Sequence, residues 1–300
     1  MSAIPLRSRS RRKLGSLLLP YLFLAPNTLI FGLFVIIPLL YGMWVSLFRW
    51  SLTRGLVGSP DFSNYLRLLQ DPGFWASFGN TLWYVGAVVP LVLATSLSLA
   101  LLVRESRPAT LLARLGFYLP AVLSPVVVGV AWRWMFGLEL GIVNALLTGL
   151  HLPPMGWLTD PQWARVLAVV ASVWTMAGFY MVMFLAGLSA IPEEYYEASR
   201  IDGAGPWTQF WRITLPLLGP TILMVVILTT INAFKTFELL LVLTGGGPGG
   251  ATRLVVQNIY DTAFDRMDLG YAAAQATVLF LVLVVLTTAQ LRVAREEKEA

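Results

Sequence analysis

Apolar residues in this chain gather in long uninterrupted runs separated by short polar segments. The runs do not alternate strictly with polar positions, so they read as helices rather than as barrel strands. Six reach the roughly 20 residues that a bilayer-crossing helix requires. They lie at about Tyr21–Phe48, Thr81–Val103, Leu112–Phe136, Val166–Leu188, Leu217–Leu243 and Tyr271–Leu291. Lipid admits only helices and closed barrels, because every backbone polar group must find a partner within the protein. The pattern therefore predicts an all-α membrane protein with about six transmembrane helices. Its membrane domain would occupy residues 21–291, between an N-terminal tail, 1–20, and a C-terminal tail, 292–300.

Composition agrees and narrows the chemistry. Charged residues make up 12% of the chain and apolar ones 57%, against about 25% charged in a soluble domain. Cysteine is absent, which removes disulfides, thiolate metal sites and thiol nucleophiles. His151 is the single histidine, so no metal centre and no catalytic residue is predicted. The net charge of +5 lies at helix ends, where membrane topology uses it, and does not point to nucleic acid. Arg7, Arg9, Arg11, Arg12 and Lys13 precede the first run as in a signal peptide. That run is far longer than a signal's apolar core, and it is read as an uncleaved first span.

Basic residues also predict orientation. With the N-terminus inside, thirteen Lys and Arg fall in inside segments and five in outside ones. Both termini are then cytoplasmic. Trp44, Trp50, Trp75, Trp83, Trp157 and Trp163 fall near the outer interface. The outside loops are Phe48–Asn80, Gly137–Arg165 and Thr244–Gly270; the inside ones are Arg104–Leu111 and Ser189–Pro216. No GxxxxGK[ST] occurs, so no nucleotide site and no cofactor is predicted on this chain.

Ser189–Pro216 is the most informative stretch. Pro192 followed by Glu193 and Glu194 is a helix start. Glu193–Asp202 predicts about three turns, Gly203 supplies the stop, and Pro206–Arg212 predicts a second short helix. An amphipathic loop lying on the bilayer is the plainer alternative. The carboxylates of Glu193, Glu194, Glu197 and Asp202 count against it, since an anionic leaflet repels them.

Glu197-Ala198-Ser199, three residues, Gly203, nine residues and Ile213-Thr214-Leu215-Pro216 resemble the EAA loop of binding-protein-dependent ABC importer permeases. The one departure is Ser199 in place of a second alanine. Further resemblance to sugar-type permeases lies in Asn64-Tyr65, Phe74-Trp75, Asn80-Thr81, Leu119-Pro120, Ser124-Pro125 and Trp132-Arg133-Trp134. It continues in Leu243-Thr244-Gly245-Gly246-Gly247-Pro248 and Gly270-Tyr271-Ala272-Ala273-Ala274. The resemblance implies the type I ABC importer permease fold in a bacterial or archaeal cytoplasmic membrane. It also implies a second homologous permease subunit, an ATPase subunit dimer and an extracytoplasmic solute-binding protein as partners, with the lipid bilayer as surroundings. Within the coupling loop, 191–216, the short helix before Gly203 would sit in a cleft of the ATPase. There Glu197 would meet a basic residue, Ala198 and Gly203 would permit close approach, and Ser199 is small enough not to disturb packing. Ile213, Leu215 and Pro216 complete the pattern.

Two polar faces inside spans are candidates for a substrate path. Ser172, Thr175, Met176 and Phe179 share one face of the fourth span; Thr229, Asn232, Ala233 and Thr236 share one face of the fifth. Hydroxyls and an amide can exchange hydrogen bonds with a sugar, and Phe179 offers a stacking plane. Maltose-type permeases carry their sugar contacts on the corresponding helices. The alternative is helix–helix packing, a common use of Ser, Thr and Asn in membranes. Lys235 and Glu238 can pair, snorkel, or, for Lys235, meet an anionic substrate. The glycine-rich turn Gly245–Gly250 lies outside, where a binding protein would dock; the bland reading is a plain turn.

The expected function is import of a di- or oligosaccharide driven by ATP hydrolysed on another subunit, so the chain itself is not an enzyme. A polyol phosphate such as glycerol 3-phosphate is the alternative substrate. An ion-coupled secondary transporter would need buried carboxylates in the spans, and only Glu238 is available. An intramembrane enzyme would have to use His151, Glu139 and Asp160, whose spacing matches no metal motif.

Overall fold

The computed structural model describes residues 14–51, 55–105 and 107–299. The first span joins α1 (Leu14–Phe31), a π turn (Gly32–Ile36) and α2 (Ile37–Val45). A hairpin of β1 (Arg49–Ser51) and β2 (Gly55–Val57) follows, paired antiparallel with Arg49 opposite Val57, and then α3 (Ser63–Gln70). Two long straight spans form the centre: α4 (Pro72–Leu102) and α8 (Pro161–Ser189). Each starts on an Asp-Pro pair. The Asp71 carboxylate accepts from the amides of Gly73 and Phe74, and that of Asp160 from Gln162 and Trp163. An acidic cap before proline at the first helical position is a strong start signal. It places the α4 start nine residues ahead of the hydropathy boundary at Thr81.

The third and fifth spans break. α5 (Pro108–Val122) turns by 97° into α6 (Pro125–Met135), so the third span is not the continuous Leu112–Phe136 helix predicted from hydropathy. Leu123 and Ser124 are extended, as the residue before a proline prefers. α7 (Ile142–Gly149) caps the same end. After α8 come α9 (Glu193–Ile201) and α10 (Pro206–Gln209), a π turn (Phe210–Thr214) and α11 (Leu215–Leu217). The second loop helix thus runs past Arg212 into the membrane segment before bending 66° at α12 (Gly219–Phe234). The fifth span stops at Phe234 rather than reaching Leu243, and a separate α13 (Glu238–Leu243) packs on α6. α14 (Val255–Tyr260) and a π turn (Asp261–Asp265) lead to α15 (Leu269–Glu299), which continues beyond the predicted end at Leu291. Among the described residues, four helices are long and apolar enough to cross a membrane, or six if each bent pair is one span.

Lipid is as apolar as leucine, so contacts between spans rest on close packing rather than on burial from water. The N-terminal part of α8's buried face accordingly includes small residues, Ala164, Ala168, Ala171, Ser172, Ala177 and Gly178, ahead of the larger Tyr180, Met181 and Phe184. At Gly178 the helix meets the backbone of α5, and a Cβ there would lie 2.8 Å from the Phe117 carbonyl carbon. Between α4 and α8 lie Tyr84, Val88, Val92, Tyr180, Met181 and Phe184. A second cluster joins Phe74, Phe234, Val255, Tyr271 and Leu279. The first span stands apart, with only 6% of its most apolar stretch buried.

Candidate functional site

The loop between α8 and α12 is built around Tyr196. Its side chain is buried in an otherwise polar helix, and its hydroxyl lies 3.0 Å from Thr214 Oγ1. The Arg104 guanidinium, just beyond the end of α4, sits over the ring at 4.7 Å. Arg104 and Arg200 also approach the Glu193 carboxylate, at 3.9 and 3.0 Å. Arg114 donates to the carbonyls of Val103 and Arg104 and so caps α4 where the loop touches it. A cleft of about 820 Å3 opens between α4, α9 and α10, lined by Arg104, Glu193, Tyr196, Trp207 and Phe210.

α9 ends as the sequence requires. Gly203 has φ +80°, its amide donates to the Arg200 carbonyl, and the Ala204 amide donates to the Ser199 carbonyl. Those two bonds form a Schellman closure, which needs a left-handed residue at that position. Ser199, the departure from the resembled motif, has a use. Its hydroxyl donates to the Tyr196 carbonyl and accepts from Gln209 Nε2 at 2.9 Å, tying α9 to α10. Glu197 and Ala198 point the other way and are exposed, and among the described residues Glu197 has no ion pair. Ile213 is half-buried, Leu215 is half-buried, and Pro216 is exposed at the head of the span.

Inside the bundle, the eight predicted substrate residues divide by access. Ser172, Thr229 and Ala233 are buried within the chain; Thr175, Met176 and Thr236 are half-buried; Phe179 and Asn232 are exposed. Two tyrosines that hydropathy reasoning passed over connect them. Tyr84 donates to Ser172 Oγ at 2.6 Å, with Thr236 Oγ1 at 3.4 Å, and the Ser172 hydroxyl in turn donates a hydrogen bond to the Ala168 carbonyl. Asn232 Nδ2 donates to the Tyr180 hydroxyl at 2.9 Å, and the Phe179 ring meets Tyr180 edge-on at 5.2 Å. The available signal was the phenol itself, since a buried tyrosine hydroxyl in a span needs a partner. The Thr229 hydroxyl has none among the described residues. Lys235 and Glu238 do not pair as a helical i, i+3 couple would, because the helix breaks between them at Lys235 and restarts at Glu238. Both are exposed.

At the opposite end of α4 the glycine-rich turn is held firmly. The Thr244 and Thr252 hydroxyls are 2.7 Å apart, and Asn80 donates to the Gly250 and Arg253 carbonyls. Arg165 reaches both Asn80 Oδ1 and the Ala251 carbonyl, at 3.1 Å each. The Gly245–Gly250 turn is therefore a braced surface feature. Close by in sequence, Tyr271 ties α15 to α4 through a 2.6 Å bond to Asp71 Oδ2, and Arg67 covers its ring at 4.0 Å while pairing with Asp268. Burial pushes the Asp71 carboxyl up, but the bonds from Tyr271, Phe74 and Gly73 outweigh it and hold the group below the usual carboxylate range. Asn144 anchors the neighbouring loop by donating to the Leu138 and Met155 carbonyls and accepting from the Trp157 indole. Beside it Trp132 stacks on Phe136, and Phe136–Trp157 and Trp157–Trp163 meet edge to face.

The family model described as binding-protein-dependent transport system inner membrane component matches residues 2–295. The chain is 36% identical over 283 residues to the sulfoquinovosyl glycerol transport system permease protein SmoG of Agrobacterium fabrum, covering 94% of this chain and 92% of that one. It is 33% identical to the trehalose/maltose transport system permease protein MalF of Thermococcus litoralis, covering 97% and 98%. It is 34% identical to the sn-glycerol-3-phosphate transport system permease protein UgpA of Yersinia pestis, covering 91% and 93%. Among solved structures, a bacterial ABC transporter that imports the acidic polysaccharide alginate superposes with a TM-score of 0.82 over 93% of this chain and 95% of that one, at 24% identity, which speaks for the fold. The chain belongs to the family of binding-protein-dependent transport system inner membrane components, as a multi-pass permease subunit.

Proposed function

We propose that this chain forms part of the translocation path of an ATP-driven importer, and that a solute-binding protein delivers it a di- or oligosaccharide. The carrying observation is the division of faces on α9: Tyr196 is locked inward while Glu197 and Ala198 stand outward, Glu197 with no ion pair among the described residues. A separate ATPase subunit dimer would seat one subunit on that face, with Glu197 against a basic residue. Ala198 and Gly203 would keep the approach close, Ser199 would hold α9 to α10, and Ile213, Leu215 and Pro216 would pass the motion into α12. Both termini and this loop would lie on the cytoplasmic side, as the basic residues favour. A second permease subunit would complete the path and cover the first span, which its own chain leaves bare.

The carbohydrate reading draws on relatives named for trehalose, maltose and sulfoquinovosyl glycerol. Phe179, Asn232, Thr236, Thr175 and Met176 would face the sugar, with Ser172, Thr229 and Ala233 behind them and Tyr84 and Tyr180 fixing their positions. A second reading, a polyol phosphate, is favoured by the likeness to UgpA and by exposed Lys235 at the break after α12. Proteoliposomes holding the assembled importer, with ATP enclosed, test both. Uptake of a neutral oligosaccharide that requires ATP and disappears in Glu197→Ala supports the first reading. Uptake that persists without ATP refutes it. Under the second, Lys235→Met loses glycerol 3-phosphate uptake selectively.

A further inference from the structure

The loop changes character at Gly203. Before it, Glu193–Asp202 carries four carboxylates and one guanidinium; after it, Ala204–Pro216 carries no carboxylate and only Arg212. The second half exposes large aromatics. Trp207 is 73% exposed and Trp211 50%, and the two indoles meet edge to face with centroids 5.7 Å apart. Two of its polar side chains face α9, Gln209 reaching Ser199 and Thr214 meeting the Tyr196 hydroxyl, while Thr208 and Arg212 are exposed. An aromatic pair of this size standing in water is unfavourable, whereas indoles concentrate at the membrane–water boundary.

The bend supplies the geometry. The helical stretch Pro206–Leu217 makes an angle of 66° with Gly219–Phe234. A span within about 20° of the bilayer normal leaves it within roughly 45° of the membrane plane. Trp207 is ten residues from Leu217. At about 1.5 Å per residue a straight continuation would carry it about 15 Å from the apolar boundary, but the bend reduces the depth change to about 6 Å for an upright span and to about 1–10 Å across that 20° of tilt. An upright span thus leaves Trp207 within the headgroup layer, about 5–8 Å thick on each side. Arg212 is exposed on the same stretch, and an anionic leaflet attracts it.

We propose that Pro206–Leu217 lies on the bilayer with Trp207 and Trp211 seated in the headgroup layer on the loop's side, so that the far half of the loop is a lipid-held pivot for the acidic helix α9. The occupant of the aromatic face is the lipid surface, continuous with the span that follows. The proposal rests on the membrane span and stands independently of the carbohydrate reading.

The absence of cysteine makes single-site labelling direct. Nitroxide is placed at Trp207→Cys, at Trp211→Cys and, with both tryptophans kept, at Thr208→Cys; Glu194→Cys is the water-exposed reference. The assembled importer and the permease subunits alone are each set in nanodiscs of phosphatidylethanolamine and phosphatidylglycerol. The proposal expects nickel-chelating lipid to broaden the labels at 207 and 211 more than soluble nickel chelate does, in both preparations, while Glu194→Cys shows the reverse. The label at 208, about 100° round the helix from 207, keeps both indoles and should still be broadened more by nickel-chelating lipid than the label at 194. Equal access of soluble nickel to 207, 208 and 194 overturns the proposal. Protection that appears only when the ATPase subunits are present also overturns it, and makes the tryptophan pair a protein contact.

Discussion

Replacing Tyr196 measures how the loop helix is held. α9 has nine residues, too few to persist alone in water, where helices shorter than about 12–15 residues are marginal. Tyr196→Ala removes a buried ring, its contact with Arg104 and its bond to Thr214, a change that costs about 3–5 kcal/mol in a packed site. What remains is one neutral bond from Gln209 to Ser199, worth about 1 kcal/mol. The exposed pairs of Glu193 with Arg104 and Arg200 add about 0–1 kcal/mol each. The loss exceeds the remainder, so α9 should open. Tyr196→Phe loses only the hydroxyl, about 1 kcal/mol or roughly fivefold in the local opening equilibrium. Amide hydrogen exchange over 193–203 reads both. The alanine variant should exchange at least about a hundredfold faster, from about 3 kcal/mol at 1.4 per decade, and the phenylalanine variant about fivefold faster. In the assembled importer, the alanine variant should hydrolyse ATP without uptake. Exchange within twofold of the parent in Tyr196→Ala would refute the assignment of the ring as the anchor.

Other consequences are separable. Asp71 is held below its unfolded value of about 3.9, so its contribution is full above that pH and is lost as pH falls through the lower folded value; thermal unfolding of Asp71→Asn in detergent should lack this acid-side loss, and an unchanged profile would count against the clasp. Tyr271→Phe removes a bond to a carboxylate and should lower stability by about 1.5–3 kcal/mol at neutral pH. Gly178→Ala drives a Cβ into the backbone of Phe117 and Tyr118, which should destabilise by about 1–3 kcal/mol, whereas Gly79→Ala, with open space around it, should be neutral or better; equal melting temperatures for the two would show that α5 and α8 are not packed at this point.

The spans were legible because apolar runs of bilayer length leave little choice of structure. So was the loop helix, since Pro192, the acids after it and Gly203 are local signals and the closure at Gly203 is local too. The break after α5 was half-visible in Pro120 and Pro125, but a proline alone does not say whether a helix kinks or turns by 97°. The break at Lys235 carries no proline or glycine to mark it, and Phe237 there adopts φ −142°, ψ −66°. Tyr84 and Ser172 are 88 residues apart, a contact that periodicity within one span does not encode. Ser199 looked like a harmless substitution because its bond partner, Gln209, lies across the glycine bend.

The central claim is that α9 is the point where a separate ATPase moves this chain, and cross-linking tests it most directly. With no native cysteine on this chain, Ala198→Cys can be oxidised against single cysteines introduced along the cleft of the ATPase subunit. The account predicts a disulfide between the two chains that stops ATP-driven uptake, with reductant restoring it. An Ala198→Cys thiol that stays open to water-soluble maleimide in the assembled, active importer, while the Arg104–Leu111 loop cross-links instead, would contradict it.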